Sequence, residues 1–191
     1  MRIKLIFYIF LVITCSCNNS NQDKGNTLHE KNVALANDLI DAFYSFNGDS
    51  LELILSHAPE SKPNILYYQK WAECGNYEII ERFDCIIKND SQVICPIKVK
   101  DDLIGALKID FNVTDTFHII IKEGHIKSVE TSSNDPEMYY EAKEWVKQNL
   151  PDFIEEPCEG IWEGGPTPCE CVKAMVAGYT EFIANNYPEK Q

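Results

Sequence analysis

Positive charge is scarce in this chain. Seventeen Lys and Arg face 30 Asp and Glu, for a formal net charge of −13. A nucleic-acid partner needs a basic face for phosphate, and docking on anionic lipid needs a polybasic cluster, so the charge argues against both, and no nucleic-acid partner is expected. Histidine is scarce too, with four. His118 and His125 could meet across a hairpin, but two imidazoles without a third ligand make no metal site, and none is expected. No apolar run is long enough to cross a bilayer, which takes about 20 residues. No internal repeat is visible, and no residue constellation stands out as catalytic.

What is present reads as globular: 191 residues, 45% hydrophobic and 25% charged. That is room for one domain with a core, plus appendages.

The N-terminus has the grammar of an export signal. Arg2 and Lys4 precede an uncharged stretch, residues 5–13, LIFYIFLVI. It is too short to span but suits the apolar segment of a secretory signal. VITCSC comes next. A charged start, a short apolar run, a small residue and a cysteine resemble the signal and lipobox of bacterial lipoproteins. In that family the cysteine is acylated and begins the mature chain. Cys17, after Ser16, fits best, with Cys15 the alternative. The resemblance implies a lipid anchor in the cell envelope, in either leaflet, as the only membrane contact. Residues 18–31 are polar except for Leu28 and read as a tether.

Helical spacing begins with Val33, Ala36, Leu39, Ile40 and Phe43, predicting a helix over 27–46 that Asn47-Gly48 stops. A short second helix, LELILSHA, and a third, ILYYQKWAEC after Pro63, complete the set. The period then changes to two. Alternation predicts strands over 77–87, 92–100, 103–113, 114–122 and 125–131, joined by short turns such as Asn89-Asp90 and Glu123-Gly124. Helices segregated before antiparallel strands make an α+β domain. Helices are expected again after Pro136, ended by Pro151, and over 169–185, with a Gly- and Pro-rich loop between them.

This order of elements resembles the NTF2-like (SnoaL-like) superfamily. The terminal phrase DTFHIIIKEGHIKSVET carries Phe117, Ile119, Gly124, Ile126 and Val129 in a pattern frequent there. Asp135-Pro136, a Trp-bearing helix ending at Asn149-Leu150-Pro151, a Pro-Thr-Pro loop and a helix with Tyr179 and Phe182 look like the C-terminal extension of some bacterial members. The resemblance implies a cone of sheet wrapped on helices around an apolar pocket. The division is then a signal (1–16), a tether (17–31), an NTF2-like domain (32–134) and a helical extension (135–191). Fold alone fixes no function. Enzymes of the superfamily use a carboxylate inside the cone as base, with a tyrosine or second acid on the oxyanion. Such chemistry needs a desolvated acid facing the pocket. On the apolar faces of the strands the inward set reads as Val, Cys, Ile, Leu and Phe. Glu81, with Tyr77 on the same face, is the one catalytic candidate, and a solvated Glu81 near the rim is the plainer alternative. Tyr68, Trp71, Tyr77, Phe83 and Phe111 are candidate pocket residues, unless they are simply core.

Six cysteines lie in the body. Cys85 and Cys95 share a face, and read as buried thiols more readily than as a cross-strand disulfide. Cys158 with Cys169 or Cys171 would close a loop poor in apolar residues, and a disulfide is favoured there. The leading expectation is a non-enzymatic envelope module without cofactor, binding a small apolar ligand or a protein partner. The alternatives are an isomerase-, cyclase- or dehydratase-type enzyme built on Glu81, and a homodimeric scaffold.

Overall fold

The computed structural model describes residues 20–160 and 169–188, with side chains from residue 27 onward. The expected signal, Cys15 and Cys17 lie outside the described residues, as does most of the Gly- and Pro-rich loop, 161–168.

Helix α1, Ser20–Tyr44, buries Ala36, Leu39, Ile40 and Phe43 as one stripe. It starts earlier than the apolar pattern predicts. Residues 20–31, expected as tether, form its first turns. Within it, residues 29 and 32 are held at Asp90, in the turn before β3: His29 Nε2 lies 3.3 Å from its carboxylate, and Asn32 Nδ2 donates to its carbonyl at 3.0 Å. Helix α2, Gly48–Ile54, is capped by Asn47, whose side chain accepts from Ser50 N. Helix α3, Lys62–Cys74, carries Pro63 in its first turn.

The chain then forms an open antiparallel sheet of five strands: β1 (Glu78–Arg82), β2 (Ile86–Asn89), β3 (Gln92–Lys100), β4 (Val113–Lys122) and β5 (His125–Ser132). The order is β1–β3–β4–β5, with β2 also paired to β3. The single strand expected over 77–87 is thus two short ones, each on its own part of β3. Between Ile79 and Glu81 the register slips, so that Glu81 sits opposite Lys98.

The strand expected over 103–113 does not form. Helix α4, Asp102–Ala106, replaces it. The side chain of Asp101 accepts from Ile104 N at 2.8 Å, and Leu103, Ile104 and Leu107 are buried. Neighbours in sequence buried together, then another a turn later, is a helical and not an alternating pattern.

Helices α5 (Glu137–Asn149), α6 (Pro151–Glu155) and α7 (Cys169–Asn186) complete the molecule. Pro151 begins α6 as well as ending α5. A Cβ built on Gly178 of α7 would lie 2.7 Å from Val146 Cγ2 of α5, so only glycine allows this approach.

Among the described residues three disulfides tie these parts together. Cys85–Cys95 bridges the start of β2 to β3 with Cα atoms 4.3 Å apart. This corrects the reading of two buried thiols: opposite register brings the pair within bonding distance. Cys158 is bonded to Cys171, and Cys169 to Cys74, which fastens α7 to the end of α3. The described elements therefore define an α+β protein.

Candidate functional site

Strand β4 alternates cleanly. Val113, Asp115, Phe117, Ile119 and Ile121 all face the core. Four are apolar, as expected of the inward set. Asp115 is the exception: it is 1% exposed, a carboxylate where the pattern calls for a hydrophobe.

Two tyrosines address it from the helices. Tyr44, at the end of α1, donates its hydroxyl to Asp115 Oδ2 at 3.1 Å. Tyr68 of α3 is a second donor toward the carboxyl, and hydrogen bonding from Tyr68 and then Tyr44 draws its pKa down. Burial outweighs both, and the carboxyl is pushed up to about 6. Its charged neighbours, Asp135 and Asp101, push the same way. No hydrogen bond of ordinary length reaches the other oxygen, Oδ1. A buried acceptor without a partner is uncommon enough to need an explanation.

Asp115 lines a cavity of about 280 Å³ and is the most buried of its lining residues. Aromatic rings make up much of the wall: Tyr67, Tyr68 and Trp71 from α3, Tyr77 before β1, and Tyr139 from α5. Tyr68 and Tyr77 meet edge to face, with centroids 6.5 Å apart. Burial raises the Tyr44, Tyr68, Tyr77 and Tyr139 hydroxyls well above their ordinary range, so all four remain protonated donors. The rim is polar, with Thr131, Ser132 and Ser133 of β5 and its extension, then Asp135 and Lys143. Burial lowers the Lys143 pKa.

A second buried acid lies outside this cavity. Asp101 caps α4 through one oxygen and leaves the other, Oδ2, without a partner. Its carboxyl is also pushed up to about 6, chiefly by burial. Its charge is felt by Tyr77.

Of the residues singled out from sequence, Tyr68, Trp71 and Tyr77 are brought together on this cavity. Glu81 is not. It is exposed on β1, where its carboxylate pairs with Lys98 Nζ at 2.8 Å. The bulge before it turns it out of the alternation that placed it inside. Phe83 is also on the outside, with Lys98 Nζ 5.2 Å above its ring. Phe111 packs half-buried against the core and does not line this cavity. His118 bonds to Ser132 at 3.0 Å, and His125 stacks on His57 at 3.9 Å, so the two do not converge across the hairpin. Among the described residues no group of three His, Cys, Asp or Glu side chains could hold a metal ion. Among them, too, no helix is long and apolar enough to cross a membrane.

Asp115 and Asp101 went unread as site residues. A signal for Asp115 was present: it stands two residues before Phe117 and so on the same face.

Comparison with protein-family models, with curated proteins and with solved structures finds no match.

Proposed function

We propose that this chain is an NTF2-like module, held at the bacterial cell envelope by a lipid on Cys17, that binds a small molecule in the cavity around Asp115. One observation carries the binding reading. A buried carboxylate keeps one oxygen unpartnered inside an aromatic-walled cavity. Desolvating that group is costly, and a folded chain that leaves one of its oxygens unpartnered holds in reserve a specific contact for a ligand. About 280 Å³ lies near the lower end of ligand pockets, which suits a small occupant.

Two further features support the wider reading. Three helices precede an antiparallel sheet, and the cavity lies between sheet and helices, as an NTF2-like cone would have it. Three disulfides among the described residues suit an exported protein.

Native mass spectrometry of the mature chain, produced with export, tests the binding reading. A small molecule retained by the wild type and lost in Asp115→Asn is the expected result. A species empty in both, with no small molecule taken up from a cell extract, overturns it.

The height of the Asp115 pKa favours a second reading, a proton-transfer enzyme of the isomerase, cyclase or dehydratase kind. A carboxyl titrating near 6 beside tyrosine donors suits a general base working near neutral pH. In deuterated solvent such an enzyme places deuterium on carbon in its ligand, and Asp115→Asn would not. A retained ligand that exchanges no carbon-bound hydrogen leaves only the binding reading.

A further inference from the structure

The cavity around Asp115 has a wall chemistry and an electrostatic field that select the charge of what enters it. Resting on the reading that it holds a small molecule, we infer that its occupant is a small organic ammonium ion, which donates an N–H to Asp115 Oδ1 and lodges its charge among the rings of Tyr68, Trp71, Tyr77 and Tyr139.

Three observations converge on this. First, the unpartnered group is an acceptor. A carboxylate oxygen with no hydrogen bond of ordinary length calls for a donor, and a charged donor makes the stronger bond. Second, two other carboxylates, Asp135 and Asp101, are among the leading influences on Asp115. They add to the negative field of Asp115 itself. An anion is repelled there, and a neutral hydroxyl leaves the carboxylate charge uncompensated. The basic side chain on the wall, Lys143, lies at the rim, where Asp135 acts on it. Third, the wall is aromatic on several sides. Rings around a cation attract it through their quadrupoles, the more so when it is desolvated, and tryptophan and tyrosine are the better rings for this. An aliphatic wall would bind an apolar ligand as well, and would need no acid in its depth.

The size of the cavity limits the ligand to a compact amine with a short apolar or aromatic body. Thr131, Ser132 and Ser133 line the mouth, where Ser132 is bonded to His118 and Ser133 donates to Asp135.

The test uses three probes of one shape. They are 2-phenylethylamine, charged at the working pH, then 2-phenylethanol, neutral, and phenylacetate, an anion. Binding of each to the full mature chain is measured by calorimetry at pH 8, where Asp115 is ionised. The expected result is an ammonium that binds at least tenfold tighter than the alcohol, with no detectable binding of the anion. In Asp115→Asn that preference falls to less than threefold. Equal or tighter binding of the alcohol by the wild type overturns the ammonium inference and leaves the cavity as a site for neutral molecules. An ammonium preference that survives intact in Asp115→Asn also overturns it. No binding of any probe at millimolar concentration overturns both this inference and the ligand-binding reading beneath it. The wild-type comparison stands even if the variant fails to fold.

Discussion

Tyr44 donates its hydroxyl to Asp115 at 3.1 Å across 71 residues of sequence. The bond ties the last turn of α1 to the inner face of β4, and it fixes one carboxylate oxygen while the other stays unengaged. The same ring lies 4.9 Å from Phe43 and 6.3 Å from Phe117, so its position is set by the core. Tyr44 is thus a positioning residue for the acid.

Replacing Tyr44 with Phe removes the donor and keeps the packing. At pH 8 the buried carboxylate then loses a hydrogen bond to its charged form, at a cost of about 1–3 kcal/mol. At pH 5, where the folded-state carboxyl is mostly protonated, the cost is smaller. Urea denaturation at the two pH values measures both. An equal loss at each would show that Tyr44 acts by packing alone.

Two buried acids make stability depend on pH in a definite direction. Asp101 and Asp115 have folded pKa values of about 6 against 3.8 for the free group. A raised folded pKa means that the native state holds protons the unfolded state has released. The stability this confers is complete below about pH 4 and is lost as pH rises through 6. For each acid the loss is on the order of 2–3 kcal/mol. Asp115→Asn should therefore stabilise the protein at pH 8 and flatten its stability profile between pH 4 and 6. Asp101→Asn should flatten it to a similar extent, because its carboxyl is raised to the same value against its own backbone donors at Leu103 and Ile104. A profile unchanged in both variants would mean that neither carboxyl is desolvated in solution.

These two acids also mark where sequence reasoning reached its limit. The stripe of α1, the caps and prolines of α2 and α3, and the alternation of β3 to β5 follow from local periodicity, which is why an α+β arrangement was legible. Residues 103–113 were not, since Leu103, Leu107, Ile109 and Phe111 satisfy a two-residue period as well as Leu103, Ile104 and Leu107 satisfy a helical one. The Asp101 cap decides between them. Glu81 was misplaced by a bulge that exists only through pairing with β3. Asp115 obeyed its parity within the strand expected over 114–122, but nothing local marks it as a site residue until Tyr44 and Tyr68 arrive from distant helices. Cys74 and Cys169 meet only when α7 has docked.

The disulfides differ in how much chain they constrain. Cys74–Cys169 closes 95 residues, Cys85–Cys95 ten and Cys158–Cys171 thirteen. In the chain-entropy model a loop of about 100 residues is worth roughly 4.7 kcal/mol and one of about 15 roughly 3 kcal/mol. Removing the first bridge by Cys74→Ser with Cys169→Ser should therefore destabilise the protein by about 1–2 kcal/mol more than removing either short one. Guanidinium titrations of the three paired variants give the ranking. A short bridge costing as much as the long one would show that the segment between α3 and α7 keeps structure when unfolded.

The contact of α5 with α7 depends on one missing side chain. A Cβ on Gly178 would lie 2.7 Å from Cγ2 and 2.9 Å from Cγ1 of Val146, and both residues are buried. Neither methyl can move far, since a β-branched residue in a helix has one strongly preferred rotamer. Gly178→Ala gains helix propensity of about 1 kcal/mol but forces the helices apart, and overpacking of this kind costs about 1–3 kcal/mol. Net destabilisation is expected. Adding Val146→Ala makes room for the new methyl, so the double variant should be more stable than the sum of the two single changes. The same separation would move Tyr139, which packs on Tyr179 of α7 at 5.5 Å and forms one wall of the Asp115 cavity. Gly178→Ala should therefore weaken binding of 2-phenylethylamine as well, and the double variant should restore it. Strict additivity in stability, with binding unaffected, would show that α5 and α7 can part without disturbing the site.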